Sequence, residues 1–155
     1  MTTPAQRLAE LGLTLPAVAA PAAAYIPAVR TGSYVYTAGQ LPFVDGKLEG
    51  TGKLGGGVSL EDGARYARIA ALNALAAVAS VAGGLDRITR IVKVTGFVAS
   101  APDFTGQPQV VNGASQLLLD VFGEAGKHAR SAVGMAVLPL DAPVEIEIIA
   151  EVAGD

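Results

Sequence analysis

The chain has 155 residues, 51% hydrophobic and 16% charged, a balance that excludes disorder and suits one domain, spanning 1–155, with a sizeable core. A net charge of −3 and the lack of any Lys/Arg run argue against nucleic acid as a partner. With no cysteine and a single histidine, disulfides, thiol nucleophiles and thiolate metal sites are excluded, and neither a His-based metal centre nor a paired-histidine nuclease is expected.

The first residues, "MTTPAQRLAELGLTLP", lack the basic start and apolar run of a signal peptide, since Arg7 and Glu10 interrupt them. "IAALNALAAVASVAGG" is rich in alanine, carries Asn73 and Ser80 and ends in glycines, so it falls short of the roughly 18 apolar residues of a membrane span. A cytoplasmic protein with no membrane partner is expected. The apolar share is high for a small monomer and points to a buried subunit interface.

In chain order, Pro4 to Leu11 reads as a short helix with Thr3 as N-cap and Pro4 at its first position. It belongs to an N-terminal extension over 1–20. "LPAVAAPAAAYIPAV" is an extended, proline-broken connector. Ala28 to Arg30 and Tyr34 to Thr37 are strands around a turn at Thr31-Gly32-Ser33. "AGQLPFVDGKLEGTGKLGGGV" is a glycine-rich loop with a short strand, and mobility is expected of it. Ser59, with Asp62 three residues on, caps a helix whose apolar positions recur at helical spacing until Gly83-Gly84 stop it. Ile88 to Val98 is a β-branched strand, "SAPDFTGQP" a loop, and Val110 to Phe122 a second long helix. "GEAGKHA" is a loop, and Ser131 to Leu138 and Val144 to Val152 are the last strands.

The order β-β-α-β-α-β-β after an N-terminal helix predicts an α+β fold, two helices covering one face of a mixed sheet of four to six strands. Ser131, Val133, Met135 and Val137 would share one face of their strand, Ala132, Gly134, Ala136 and Leu138 the other. Both faces are apolar, so both need cover, and a second subunit is the simplest source of the second cover.

Few residues carry chemistry. Arg130 follows a loop and precedes a buried strand; it is either paired or solvated, or it presents its fork to a carboxylate in a cleft. Glu145, Glu147 and Glu151 share a strand face by alternation. A carboxylate on a buried sheet face is paired or has a raised pKa, and such a group can hold or activate water. Glu147 and Glu151 read better as an edge-strand solvated face or as ion pairs; Glu145 stays open. Gly39, at a strand end, either turns the chain or lets a ligand approach its backbone. Tyr25 either caps a pocket or packs on the surface. Asn112, read as the start of the second helix, either donates to a ligand or caps locally. His128, two residues before Arg130, is read first as exposed and structural and second as tuning the site. "GKLGGGVS" does not match a phosphate loop, and "ARSAVG" is not a nucleophile elbow.

"ARSAVGMAVLPLDAPVEIEIIAEV" resembles the RidA (YjgF-type) family, whose members carry an "R-S-x-V-x-V-x-x-L-P-x-x-x-x-V-E-I-E" run. "YVYTAGQLP", "AGGLDRITRIVKVTGFVASAPDF" and "VVNGASQLLLDVFG" resemble further segments of that family in the same order. The extension and "GEAGKHARSAVG" suggest a distinct subgroup. The resemblance implies a chorismate-mutase-like fold of the trimeric type, a homotrimer around a central barrel with clefts between neighbours. It implies hydrolysis of enamines and imines of the 2-aminoacrylate type to 2-keto acids and ammonia, as in 2-iminobutanoate/2-iminopropanoate deaminases, with no cofactor and no metal. By resemblance Arg130 binds the substrate carboxylate and Glu145 holds water, while Tyr25, Gly39 and Asn112 line the pocket. Ala132 stands where many members have cysteine, at a position used mainly through its backbone. Lys127 and His128 replace the usual Phe-Pro before "ARS". Two other readings are a non-catalytic binder of keto acids and, against the acidic charge, an endoribonuclease or translation inhibitor.

Overall fold

The structure, a computed structural model, describes residues 1–18, 20–21 and 23–155. Helix α1 (Pro4–Glu10) starts at a reciprocal capping box, in which the Thr3 side chain accepts from Gln6 N and the Gln6 side chain accepts from Thr3 N. A hairpin of β1 (Ala28–Thr31) and β2 (Tyr34–Thr37) follows. A two-residue-per-strand hairpin, β3 (Phe43–Val44) and β4 (Lys47–Leu48), lies within the glycine-rich loop. That loop is tied down: Leu54 is fully buried, its N–H donates to Ala99 O (2.9 Å), and its carbonyl accepts from Ala101 N (2.8 Å). Then come α2 (Leu60–Ala82), β5 (Ile88–Ala99), α3 (Gln107–Phe122), β6 (Ala129–Met135) and β7 (Val144–Val152).

Five strands form one sheet in the order β1-β2-β7-β5-β6. All neighbours are antiparallel except β5 and β6, which run parallel with α3 as the crossover between them. Helices α2 and α3 cover one face, as the element order predicts. The core there is aliphatic: Ile91, Val94 and Val98 of β5 and Ile146 and Ile148 of β7 meet Leu75 and Val78 of α2 and Leu117 and Leu118 of α3. Burying each such side chain contributes about 1.5–3 kcal/mol. The helices approach closely because α2 turns small residues inward (Ala67, Ala70, Ala71, Ala74) and because α3 has Gly113 over the Ala64 carbonyl, where any Cβ would collide.

The bounds of two elements and one strand's place in the sheet differ from the sequence reading. Helix α3 begins at Gln107 rather than Val110, because Pro108 falls in the first turn, where its missing N–H costs nothing. Strand β6 begins at Ala129 and ends at Met135, before the turn at Pro139–Asp141. Strand β7 is central rather than an edge, so the edge-strand reading of Glu147 and Glu151 is wrong; both lie on the face away from the helices.

That outer face is open in the single chain and mixes apolar side chains with Glu145, Glu147, Lys93 and Thr95. Register places Val29, Tyr36 and Ile149 side by side across β1, β2 and β7, with Phe97 of β5 beside Val133 of β6. Val29, Tyr36, Val133 and Met135 are all exposed. Strand β6 also ends the sheet with an unpaired edge. No described helix is long and apolar enough to cross a membrane.

Candidate active site

The residues singled out in the sequence fall into two groups on opposite faces of the sheet. Arg130 pairs in register with Val94 of β5, which points into the helix-side core. Glu145 pairs with Phe97, three residues further along β5, and so faces the other way.

On the helix side, β6 and α3 hold Arg130. Its Nη1 donates to Asn112 Oδ1 at 2.8 Å and to Ser115 Oγ at 3.2 Å. Asn112 and Ser115 lie three residues apart on α3, hence on one helix face. Asn112 is therefore inside the helix, not at its start, and its side chain orients the arginine instead of capping. Among the described residues Arg130 has no carboxylate partner, and its Nε and Nη2 carry no protein acceptor. A structural ion pair is thus not what holds it. Ala132 follows two residues on, beside Gly96, partly buried against the core on the same face as Arg130.

His128, just before β6, is half-buried rather than exposed. Its Nδ1 lies 2.6 Å from Gly126 O and its Nε2 2.9 Å from Ser115 Oγ. Burial lowers its pKa from the ordinary histidine value, and the nearby Arg130 charge lowers it further, against the Gly126 hydrogen bond, which raises it. Ser115 and His128 are missing from the sequence-based site. The signal was the spacing: Ser115 is one helical turn from Asn112, and His128 is two residues before Arg130.

On the other side, Tyr25, Gly39 and Glu145 line one cavity of about 700 Å³, together with the connector prolines, Leu41, Phe43 and Leu140. Asn73 of α2 fixes its floor by donating to Leu41 O (2.9 Å) and Phe43 O (3.1 Å). Burial pushes the Glu145 carboxyl above its ordinary pKa, and the charge of Glu147 adds to the rise. Gly39 sits against this carboxylate: a Cβ built there would be 2.5 Å from Oε2. A half-buried carboxylate with a raised pKa beside an open cavity can take a proton from water and return it. The structure thus brings Arg130, Asn112 and Ala132 to one face and Tyr25, Gly39 and Glu145 to the other. Within one chain Arg130 and Glu145 do not meet.

This fold, with its two chemically equipped faces, places the chain in a class with known members. Residues 5–152 match the family model described as "YjgF/chorismate mutase-like, putative endoribonuclease", and the chain belongs to that family. The match takes in α1 beyond Pro4, which the sequence reading had set apart as an extension. The chain is 45% identical to "Protein TCP17" of Trypanosoma cruzi over 148 residues, 95% of this chain and 92% of that one. The structure of a "putative endoribonuclease" from Shewanella oneidensis superposes with a TM-score of 0.94 at 38% identity, covering 97% of this chain and all of that one. E. coli TdcF with bound serine superposes with a TM-score of 0.63 at 29% identity, covering 90% of this chain and 96% of that one.

Proposed function

We propose that this protein is a hydrolytic deaminase of enamines and imines bearing a carboxylate, of the 2-aminoacrylate type, in a RidA-like branch marked by "GEAGKHARSAVG", acting in the cytoplasm on small molecules and on no nucleic acid or membrane. The observation that carries it is Arg130: a half-buried guanidinium, held by Asn112 and Ser115, with its Nε–Nη2 edge free to take a carboxylate through two parallel bonds. The serine bound to the relative TdcF is a small carboxylate of this kind. The high TM-score to the Shewanella structure beside the lower one to TdcF supports a separate branch.

A complete site on this reading needs two copies, because Arg130 and Glu145 face opposite ways. The open outer face and the free β6 edge give the copies a surface to share, and a homotrimer whose sheets surround a central barrel unites an Arg130 from one with a Glu145 from the next. The enamine becomes an imine by moving a proton from nitrogen to carbon. Arg130 holds the carboxylate, and Glu145 takes a proton from a water that adds to the imine carbon. That proton passes to the nitrogen to give an amino alcohol, and transfer of the hydroxyl proton to the same nitrogen then breaks the C–N bond, releasing ammonia and leaving a keto acid. Tyr25, Gly39 and the Ala132 backbone complete the walls. Purified protein should speed keto-acid release from freshly generated 2-aminoacrylate; saturable binding of the keto acid without any acceleration would leave a binding protein instead.

Gly39→Ala tests the Glu145 side. Its backbone conformation admits alanine, so the thermal midpoint should hardly move, but the new Cβ must displace the carboxylate. Keto-acid release should fall by roughly 10²-fold, the cost of misplacing a catalytic group by about 1 Å. Unchanged turnover would remove Glu145 from the site.

A further inference from the structure

We propose that Ser115 and His128 are positioning residues for Arg130, a hydrogen-bond chain that aims its guanidinium and leaves one edge free for the ligand. The inference rests on reading Arg130 as the carboxylate anchor. Its chemistry is fixed from one end. The Gly126 carbonyl can only accept, so the His128 Nδ1 at 2.6 Å must carry a proton. A neutral ring then has a lone pair on Nε2, which accepts the Ser115 O–H at 2.9 Å. With its proton committed, the Ser115 oxygen can receive Arg130 Nη1 at 3.2 Å. The second Nη1 hydrogen goes to Asn112 Oδ1. Both hydrogens on Nη1 are thereby used, and the guanidinium is held at one nitrogen only.

Each link excludes the alternative. A charged imidazole would present N–H to the serine and add a like charge near Arg130. Burial opposes that state. The groups that act on the ring are few: Arg130 on β6, the Gly126 carbonyl before it and uncharged Ser115 on α3, while the Glu124–Lys127 pair in the preceding turn is exposed. The helix itself gains nothing from Ser115, whose hydroxyl leaves the backbone to reach the imidazole. This arrangement depends on the His128 found here before "ARS"; phenylalanine or proline there could not accept the serine proton.

As the chain has one histidine, its ring nitrogens give unambiguous ¹⁵N signals. The native protein should show a neutral ring protonated on Nδ1, and Arg130 Nε–H should be as ordered as the backbone. Ser115→Ala and His128→Ala should loosen Arg130 and weaken 2-oxobutanoate binding, read by calorimetry, by about tenfold. His128→Gln, which offers a carbonyl oxygen to the serine, should restore both. A ring protonated on Nε2, or an Arg130 equally ordered in Ser115→Ala and His128→Ala, would overturn the proposal. If native protein binds no keto acid, the carboxylate-anchor reading fails, and the two spectroscopic readouts still decide the positioning role.

Discussion

Arg130→Ala is expected to lower kcat/KM for a carboxylate-bearing imine by roughly 10²- to 10⁴-fold while leaving the fold intact. Each hydrogen bond between charged groups contributes about 1.5–3 kcal/mol, two are lost, and every 1.36 kcal/mol is tenfold in rate. The loss should appear mainly as weaker binding of substrate and of keto acid. The fold of each chain should change little, because within the chain Arg130 pairs with no carboxylate among the described residues and lies on a partly exposed edge strand. Asn112 and Ser115, at its side, can turn to water. Lysine restores the charge but not the fork, so Arg130→Lys should recover only part of the activity. Keto-acid release, with circular dichroism as the folding control, checks this. Full activity in the alanine variant would sink the carboxylate-anchor reading.

Glu145→Gln should be less active and more stable. On the proposed reading Glu145 moves protons between water and nitrogen, a role that contributes about 10²- to 10⁴-fold and that glutamine cannot fill. The pH dependence follows from its raised pKa. The folded chain holds this proton more tightly than the unfolded chain, so the stabilisation of the protonated form is complete below the unfolded pKa and is lost as pH rises through the folded one. Once ionised, the half-desolvated carboxylate is a burden beside Glu147, which glutamine removes. The melting midpoint of Glu145→Gln should exceed the native one at pH 7, and the gap should close on acidification. Activity in the native protein should fall on the acid side at a pH above the usual carboxylate range, and that limb should be absent from the variant. A variant of native rate, or a less stable one, would remove Glu145 from its role.

Much of the fold was legible because its signals are local. The Val144–Val152 strand alternates so regularly that its bounds match, and capping chemistry marked the starts of α1 and α2. What escaped was set by tertiary context. Pro108 was read as the end of a loop but sits in the first turn of α3, so Asn112, read as starting the helix, lies inside it, one turn from Ser115. The central place of β7 depends on which strands it pairs with, which alternation cannot reveal. The glycine-rich loop looked unanchored because its anchor, Leu54, is one apolar residue between glycines. Arg130 and Glu145 were found as residues, but their opposite orientation emerges only from the register of β5 with both neighbours.

On the proposed reading, that opposite orientation makes the active unit a property of neighbours and not of a chain. A preparation of Arg130→Ala alone, or of Glu145→Gln alone, has no intact site. Unfolded together and refolded as a mixture, the two inactive variants should regain activity, since a Glu145→Gln copy still lends its arginine and an Arg130→Ala copy its glutamate. With random assortment around a ring, roughly one site in four is whole. The same geometry gives a single damaged gene copy an uneven reach: each altered subunit spoils only the cleft to which it supplied the missing group, and the others in the ring keep working.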